Sequence, residues 1–198
     1  KQKSKPLVCV IGEIYLRLND FANDNVVKRL ESLGAEVMVS SLGEWFFHVN
    51  RAVLFKNRIQ HRWGSVLGVW FWDKATKHDA HRLERTVKSN GAFLKGPPIE
   101  EIWKNAEMYF LSWFGEPSLG LGSAIYHINR GVKGIVNVMP FMCMNGMIGK
   151  TQLKRLQDDH PDVAVLNLEF DGQEKASLED ELESFMEQVK SEDSAMNS

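Results

Sequence analysis

Apolar residues along this chain change period several times. Residues 6–14 (PLVCVIGEI) form a short apolar run rich in valine, the pattern of a strand covered on both faces. An amphipathic stripe follows, with Asn23 as N-cap, Val26, Val27, Leu30 and Leu33 on one helical face, and Gly34 placed to end the helix. Residues 35–41 (AEVMVSS) return to strand. The same phrase recurs downstream: a helix over 118–129, Gly131, a strand over 132–139, a helix over 149–157, a strand over 163–170 and a closing helix over 178–189. Strand–helix alternation of this kind predicts right-handed crossovers and a parallel sheet with helices on both sides. The expected fold is a three-layer Rossmann-like or flavodoxin-like α/β domain of about four strands.

Between residues 44 and 114 the pattern is different. This stretch holds all six tryptophans and reads mainly as helices laid over one end of the sheet, with 108–114 (MYFLSWF) ambiguous as a strand. Asn90-Gly91 and Gly96-Pro97-Pro98 break it into pieces. The expectation is one α/β domain over 1–190, elaborated by a tryptophan-rich helical insertion or cover over about 44–114, and a frayed tail over 191–198.

Composition narrows the function. A chain of 198 residues, 43% hydrophobic and 25% charged, can bury one good core. Lys and Arg total 24 against 26 Asp and Glu, a formal net charge of -2 with neither sign massed on a face, so a nucleic-acid partner is not expected. The longest apolar run, residues 64–72, is less than half of the roughly 20 residues that a membrane helix requires, so no membrane partner is expected either. Cys9 and Cys143 are the only cysteines and lie far apart, which points to a reduced, cytoplasmic setting rather than a disulfide framework. The opening KQKSK looks like a cut within a linker, the start of a piece of something longer.

Ligands of an open parallel sheet bind beyond the carboxyl ends of its strands, where loops converge and helix N-termini present free N–H groups. Three polar segments occupy that edge here: residues 12–19, 139–146 and 169–174. Together they would bring Glu13, Arg17, Asn19, Cys143, Asp171 and Glu174 to one crevice. Each has a plainer role open to it. Glu13 and Arg17 can pair with each other or with a neighbouring helix, Asp171 can cap the turn at Gly172, Cys143 can simply pack, and Met139, Met142, Met144 and Met147 can be ordinary packing.

Other motifs fail on spacing. A phosphate loop ending in Gly149-Lys150-Thr151 needs glycine at 144, which is Met144; Gly146 comes two residues late. Gly120-x-Gly122 lacks the third glycine of a dinucleotide fingerprint, since Ile125 occupies its place. His78 and His81 with Asp79 lie a helical turn apart, and their neighbours Arg82, Glu84 and Arg85 mark a solvated face. No Ser/His/Asp or Cys/His spacing suggests covalent catalysis.

The segments GEIYLRLNDFANDNVVKRLESLGAEV, GVKGIVNVMPFMCMNGMI and LNLEFDGQE resemble the C-terminal part of the CoA-substrate-specific enzyme activases, relatives of the 2-hydroxyacyl-CoA dehydratase subunits and their ATP-dependent activators. The likeness covers both ends of the sheet. It is strongest at residues 12–15, 137–144 and 171–174, and loose in the tryptophan-rich middle. It implies that Cys143, in the loop after Pro140-Phe141, is one ligand of a four-iron four-sulfur cluster completed by upstream domains of the same polypeptide. It also implies that Gly12, Glu13, Arg17, Asn19, Asn137, Pro140, Asp171 and Glu174 shape a pocket for an acyl-CoA-like ligand or an electron-transfer partner. No cluster and no activity are expected of this chain alone, because a cluster normally takes three or four thiolates and Cys9 lies within the first strand. Met142 replaces the family's glycine after Phe, and Asn145 its proline. The second expectation is a non-catalytic docking or anion-binding module in which Cys143 packs.

Overall fold

The computed structural model describes residues 5–88, 96–107, 109, 115–173 and 175–196. The chain divides into two compact units, one formed by residues 1–40 and 100–198 and the other by residues 41–99.

The larger unit is built on a four-stranded, all-parallel sheet: β1 (Leu7–Gly12), β2 (Glu36–Val39), β3 (Gly134–Pro140) and β4 (Ala164–Phe170), in the order β2-β1-β3-β4. Val10 aligns with Val39 on one side of β1 and Ile11 with Asn137 on the other, while Asn137 aligns with Asn167 across β3 and β4. Alternation along the strands splits the core in two. Val8, Val10, Val136, Val138 and Leu168 point to one face. They pack there with Leu16 of α1 (Ile14–Leu18), Val26 and Leu30 of α2 (Val26–Ser32) and Leu182, Phe185 and Val189 of α8 (Leu178–Met196). Cys9, Ile11 and Ile135 point to the other face, against Leu121 and Ile125 of α6 (Glu116–Ile128) and Leu153 and Leu156 of α7 (Met144–Asp159). Full burial of each such Leu or Ile contributes about 1.5–3 kcal/mol. The result is the three-layer, Rossmann-like or flavodoxin-like α/β fold that the alternating pattern predicts.

Element ends follow local chemistry. Gly34 takes φ 97°, as the residue after a helix often must, and closes α2. Asn25 holds the N-cap position of α2 in a left-handed conformation, but it is the side chain of Asn23 that accepts from Val26 N–H, at 3.3 Å. The start of α7 differs from expectation. It begins at Met144, five residues before Gly149, so Met144, Asn145 and Gly146 form a first helical turn rather than a loop and Cys143 becomes the N-cap. Glycine is a poor helix former, and the two at 146 and 149 hide this turn from a propensity argument. α8 likewise runs through residues 191–196, where a frayed tail is expected.

The second unit is helical. α3 (Leu42–Ile59) and α4 (Trp63–Lys88) pack on each other, joined by a turn in which His61 adopts φ 54°. Glu44 accepts from Ser41 N–H at 3.1 Å, closing the first turn of α3. Trp45, Trp63, Trp70 and Trp72 belong to these two helices. Trp103 instead belongs to the larger unit, in α5 (Ile99–Ala106), where it and Ile102 are buried. The ambiguous segment 108–114 falls outside the described residues except for Tyr109. Among the described residues no helix is long and apolar enough to cross a membrane.

Candidate ligand cleft

β1 is flanked by β2, reached through α1 and α2, and by β3, reached by the return from β2. The chain therefore reverses its direction of winding between β1 and β3. Loops leaving two such neighbouring strands part to opposite faces and leave a crevice. A small cleft, partly open to solvent, lies at this point. Ile11, near the carboxyl end of β1, and Asn137, in the middle of β3, line it. Glu116, Pro117 and Gly120 at the start of α6 line it, as do Cys143, Asn145, Gly146 and Gly149 at the start of α7. Gly12 and Glu13 complete the rim.

Gly12 is required by the close approach of β1 to β3. Its φ is 112°, and a β-carbon there would overlap the Val138 carbonyl oxygen and come within 2.8 Å of Asn137 Oδ1. This geometry turns the chain so that Glu13 N–H donates to Val138 O at 2.8 Å. The Glu13 side chain then caps α1, one carboxylate oxygen accepting from Leu16 N–H at 2.8 Å. Its other oxygen has no partner among the described residues.

Asn137 is 4% exposed, although it belongs to an otherwise apolar strand. Its Nδ2 donates to Asn167 Oδ1 at 2.9 Å, across the aligned pair of β3 and β4. Asn137 Oδ1, on the side towards Gly12, has no hydrogen-bond partner among the described residues.

Cys143 is a half-buried free thiol at the N-cap of α7, with no side-chain capping bond. The first turn of α7 contains no acidic residue, and the N–H groups of Met144, Asn145 and Gly146 have no acceptor among the described residues. Gly146 lets α7 lie against β3, since a β-carbon there would come within 2.7 Å of the Met139 side chain. Of the four methionines near this loop, Met139 packs at 1% exposure, whereas Met142 and Met144 are 76% and 73% exposed.

The structure thus brings Gly12, Glu13, Asn137 and Cys143 to one cleft. Four other expected residues lie outside the cleft lining. Arg17 is buried in α1, outside the cleft lining. Asn19 is spent on a turn, its Oδ1 accepting from Phe21 and Ala22 N–H at 3.1 and 3.2 Å. Pro140 ends β3 beyond the lining. Asp171 accepts from Gln173 N–H at 3.0 Å in a turn where Gly172 has φ 86°. The distance of that turn has a simple cause: β4 is the edge strand, one strand removed from the reversal. Glu174 lies outside the described residues.

The residues that sequence reasoning missed are Glu116, Pro117, Asn145 and Gly149. Glu116-Pro117 carries a signal for its place, since proline favours the first helical turn and an acid there suits the helix dipole. Gly120, dismissed with the dinucleotide motif, is in the cleft wall, but on a helix that precedes β3 rather than one that follows β1. The would-be phosphate-loop lysine, Lys150, pairs with Glu169 at 2.9 Å. His78 and Asp79 are 3.5 Å apart, with side chains 71% and 74% exposed, a solvated pair.

The donor set bears on a metal cluster. Among the described residues no three His, Cys, Asp or Glu side chains are grouped to hold a metal ion, and Cys9 is fully buried in β1. The cleft offers a single thiol, so these residues do not by themselves make a four-iron site. Compared with protein-family models, with curated proteins and with solved structures, the chain has no match.

Proposed function

We propose that this chain is the C-terminal module of a longer, activase-related polypeptide, binding an acyl-CoA-like ligand in its cleft and contributing Cys143 to an iron–sulfur site that upstream domains complete. The observation that carries this reading is the position of Cys143: its half-buried thiol shares the cleft at the reversal of the sheet with Glu13 and Asn137. The backbone of Met142 adds support. It adopts φ 58°, the region that favours glycine, at the position where the resembled family carries glycine. A bound cluster would supply one-electron transfer. The part of this chain would be to hold one thiolate and to present the first turn of α7 beside it.

Anaerobic iron and sulfide reconstitution of the longer polypeptide, with and without Cys143→Ala, tests the reading. Iron content should fall in the variant; equal iron in both would end the idea.

A second reading, a non-catalytic docking or anion-binding module, is favoured by one specific observation: the N–H groups of Met144, Asn145 and Gly146 have no acceptor among the described residues, and the first turn of α7 contains no acidic residue. In that case Cys143→Ala leaves iron content and partner binding unchanged.

A further inference from the structure

The net charge of -2 conceals a division between the two units. Residues 41–99, the helical unit, hold 10 Lys and Arg against 4 Asp and Glu, whereas the rest of the chain holds 14 against 22. An excess of positive charge on one small unit draws that unit towards anionic partners.

The same unit exposes an apolar stripe. In α4, Trp63, Leu67, Trp70 and Phe71 recur at the i, i+4, i+7, i+8 spacing of one helical side, and they are 43% to 66% exposed. The inward side of the helix is marked instead by Val66, which is buried. Lys74, His78, Arg82 and Arg85 continue the exposed side over the following turns. Trp70 and Phe71 meet edge to face at 5.0 Å, and the Lys74 ammonium lies 5.9 Å from the Trp70 ring. One side of this 26-residue helix is therefore aromatic in its first half and basic in its second. Apolar residues scattered over a surface need no partner, but four on one helical side form a continuous patch.

We infer that this side of α4 docks on the surface of an anionic phospholipid bilayer. Tryptophan settles at the level between headgroups and acyl chains, with its apolar rings inside and its N–H in the wet layer, and leucine and phenylalanine add buried apolar area. Lys and Arg attract anionic headgroups. Lipids are mobile, so headgroups gather at Lys74, Arg82 and Arg85 without the matched spacing that an acidic protein would need. A second copy using the same face would set two positive units against each other. Single-stranded nucleic acid would use the charges and the rings but leave the apolar area of Leu67 in water. Among the described residues no helix can cross a bilayer, and a contact in the interface plane needs none. The expectation of no membrane partner rests on spanning alone. The inference is independent of the cleft and of the iron–sulfur reading.

The test is flotation of the chain with vesicles of phosphatidylcholine, alone or with about 30% phosphatidylserine. The chain should bind the anionic vesicles at least about tenfold more tightly than the neutral ones, and less tightly as salt rises. Trp70→Ala combined with Phe71→Ala should weaken that binding at least about tenfold. Lys74→Glu should weaken it about fivefold or more, whereas Lys154→Glu, an equal change of charge at an exposed residue of α7, should leave it within about twofold. Circular dichroism matching that of the parent chain separates lost binding from lost fold in each variant. Equal binding to the two kinds of vesicle, no flotation of the parent chain, or full binding by the folded Trp70→Ala, Phe71→Ala variant would overturn the inference. So would self-association without lipid that those two substitutions abolish, which gives the face to a second copy, and tighter binding of an oligothymidylate than of anionic vesicles, which gives it to nucleic acid.

Discussion

Gly12 faces Val138 so closely that the Val138 carbonyl oxygen occupies the space a β-carbon on residue 12 would need, while the next residue, Glu13, donates its N–H to that same oxygen at 2.8 Å. One backbone contact thus fixes the spacing of β1 and β3 and the placing of the glutamate on the rim. Gly12→Ala would meet both a hard overlap and a φ of 112°. The expected loss of stability is about 2–5 kcal/mol, adding strain to overpacking. Urea denaturation measures it, and a midpoint equal to that of the parent chain would refute the account.

Met142 offers the opposite case. Its φ of 58° costs a non-glycine residue about 1–2 kcal/mol, and at 76% exposure the side chain has little packing to lose. Glycine relieves the strain but adds unfolded-state entropy of about 0.5–1 kcal/mol. Met142→Gly should therefore raise stability by roughly 0.5–1 kcal/mol with the denaturant slope unchanged.

His127, 5% exposed in α6, has its pKa pushed down to about 4, first by burial and then by the charge of Arg130. The unfolded chain takes up a proton near the ordinary value of 6.5, which the folded chain refuses until about pH 4. Stability contributed by the neutral ring is therefore complete above pH 6.5 and is lost as pH falls towards 4, by up to about 3 kcal/mol. Denaturation curves at stepped pH should show this slope, and His127→Gln should flatten it. The carboxyls of Asp162 and Glu181, held below their usual range, add a loss at lower pH.

Lys133 is 7% exposed, and its ammonium lies 2.6 Å from Asp162, whose side chain is 49% exposed. The two halves of this pair are not equivalent. Asp162→Asn leaves a buried charge without its counter-ion and should cost about 1–3 kcal/mol, whereas Lys133→Met leaves only a hydrated carboxylate and should change stability by less than about 1 kcal/mol. Thermal melts of the two variants give the comparison, and equal losses would contradict it.

The sheet was legible because a parallel strand covered on both faces reads as a near-continuous apolar run, as residues 7–11 do and 134–139 do apart from Asn137. The parallel sense of the sheet followed from alternation, whereas the strand order β2-β1-β3-β4 did not. The cleft was only half legible. Glu13 and Cys143 were found because they follow apolar strands, and Asn137 because the family likeness covers it, but Asn19 and Asp171, equally polar and equally close to strand ends, turned out to hold turns together. Short polar side chains that can bind a ligand are those that can bind their own backbone, and only coordinates tell the two apart. The share of the wall that comes from α6 was hidden for another reason: that helix reaches the site from the strand behind it, so no strand-to-loop signal marks Glu116 or Gly120. At α7 the glycines that shape the wall also disguise the helix that carries them.

Gly149 has open space where a β-carbon would stand. An alanine there should make α7 firmer by about 1 kcal/mol. Residue 149 also belongs to the cleft lining, so successively larger side chains at this one position would act as a graduated stop against the acyl-CoA-like ligand proposed above.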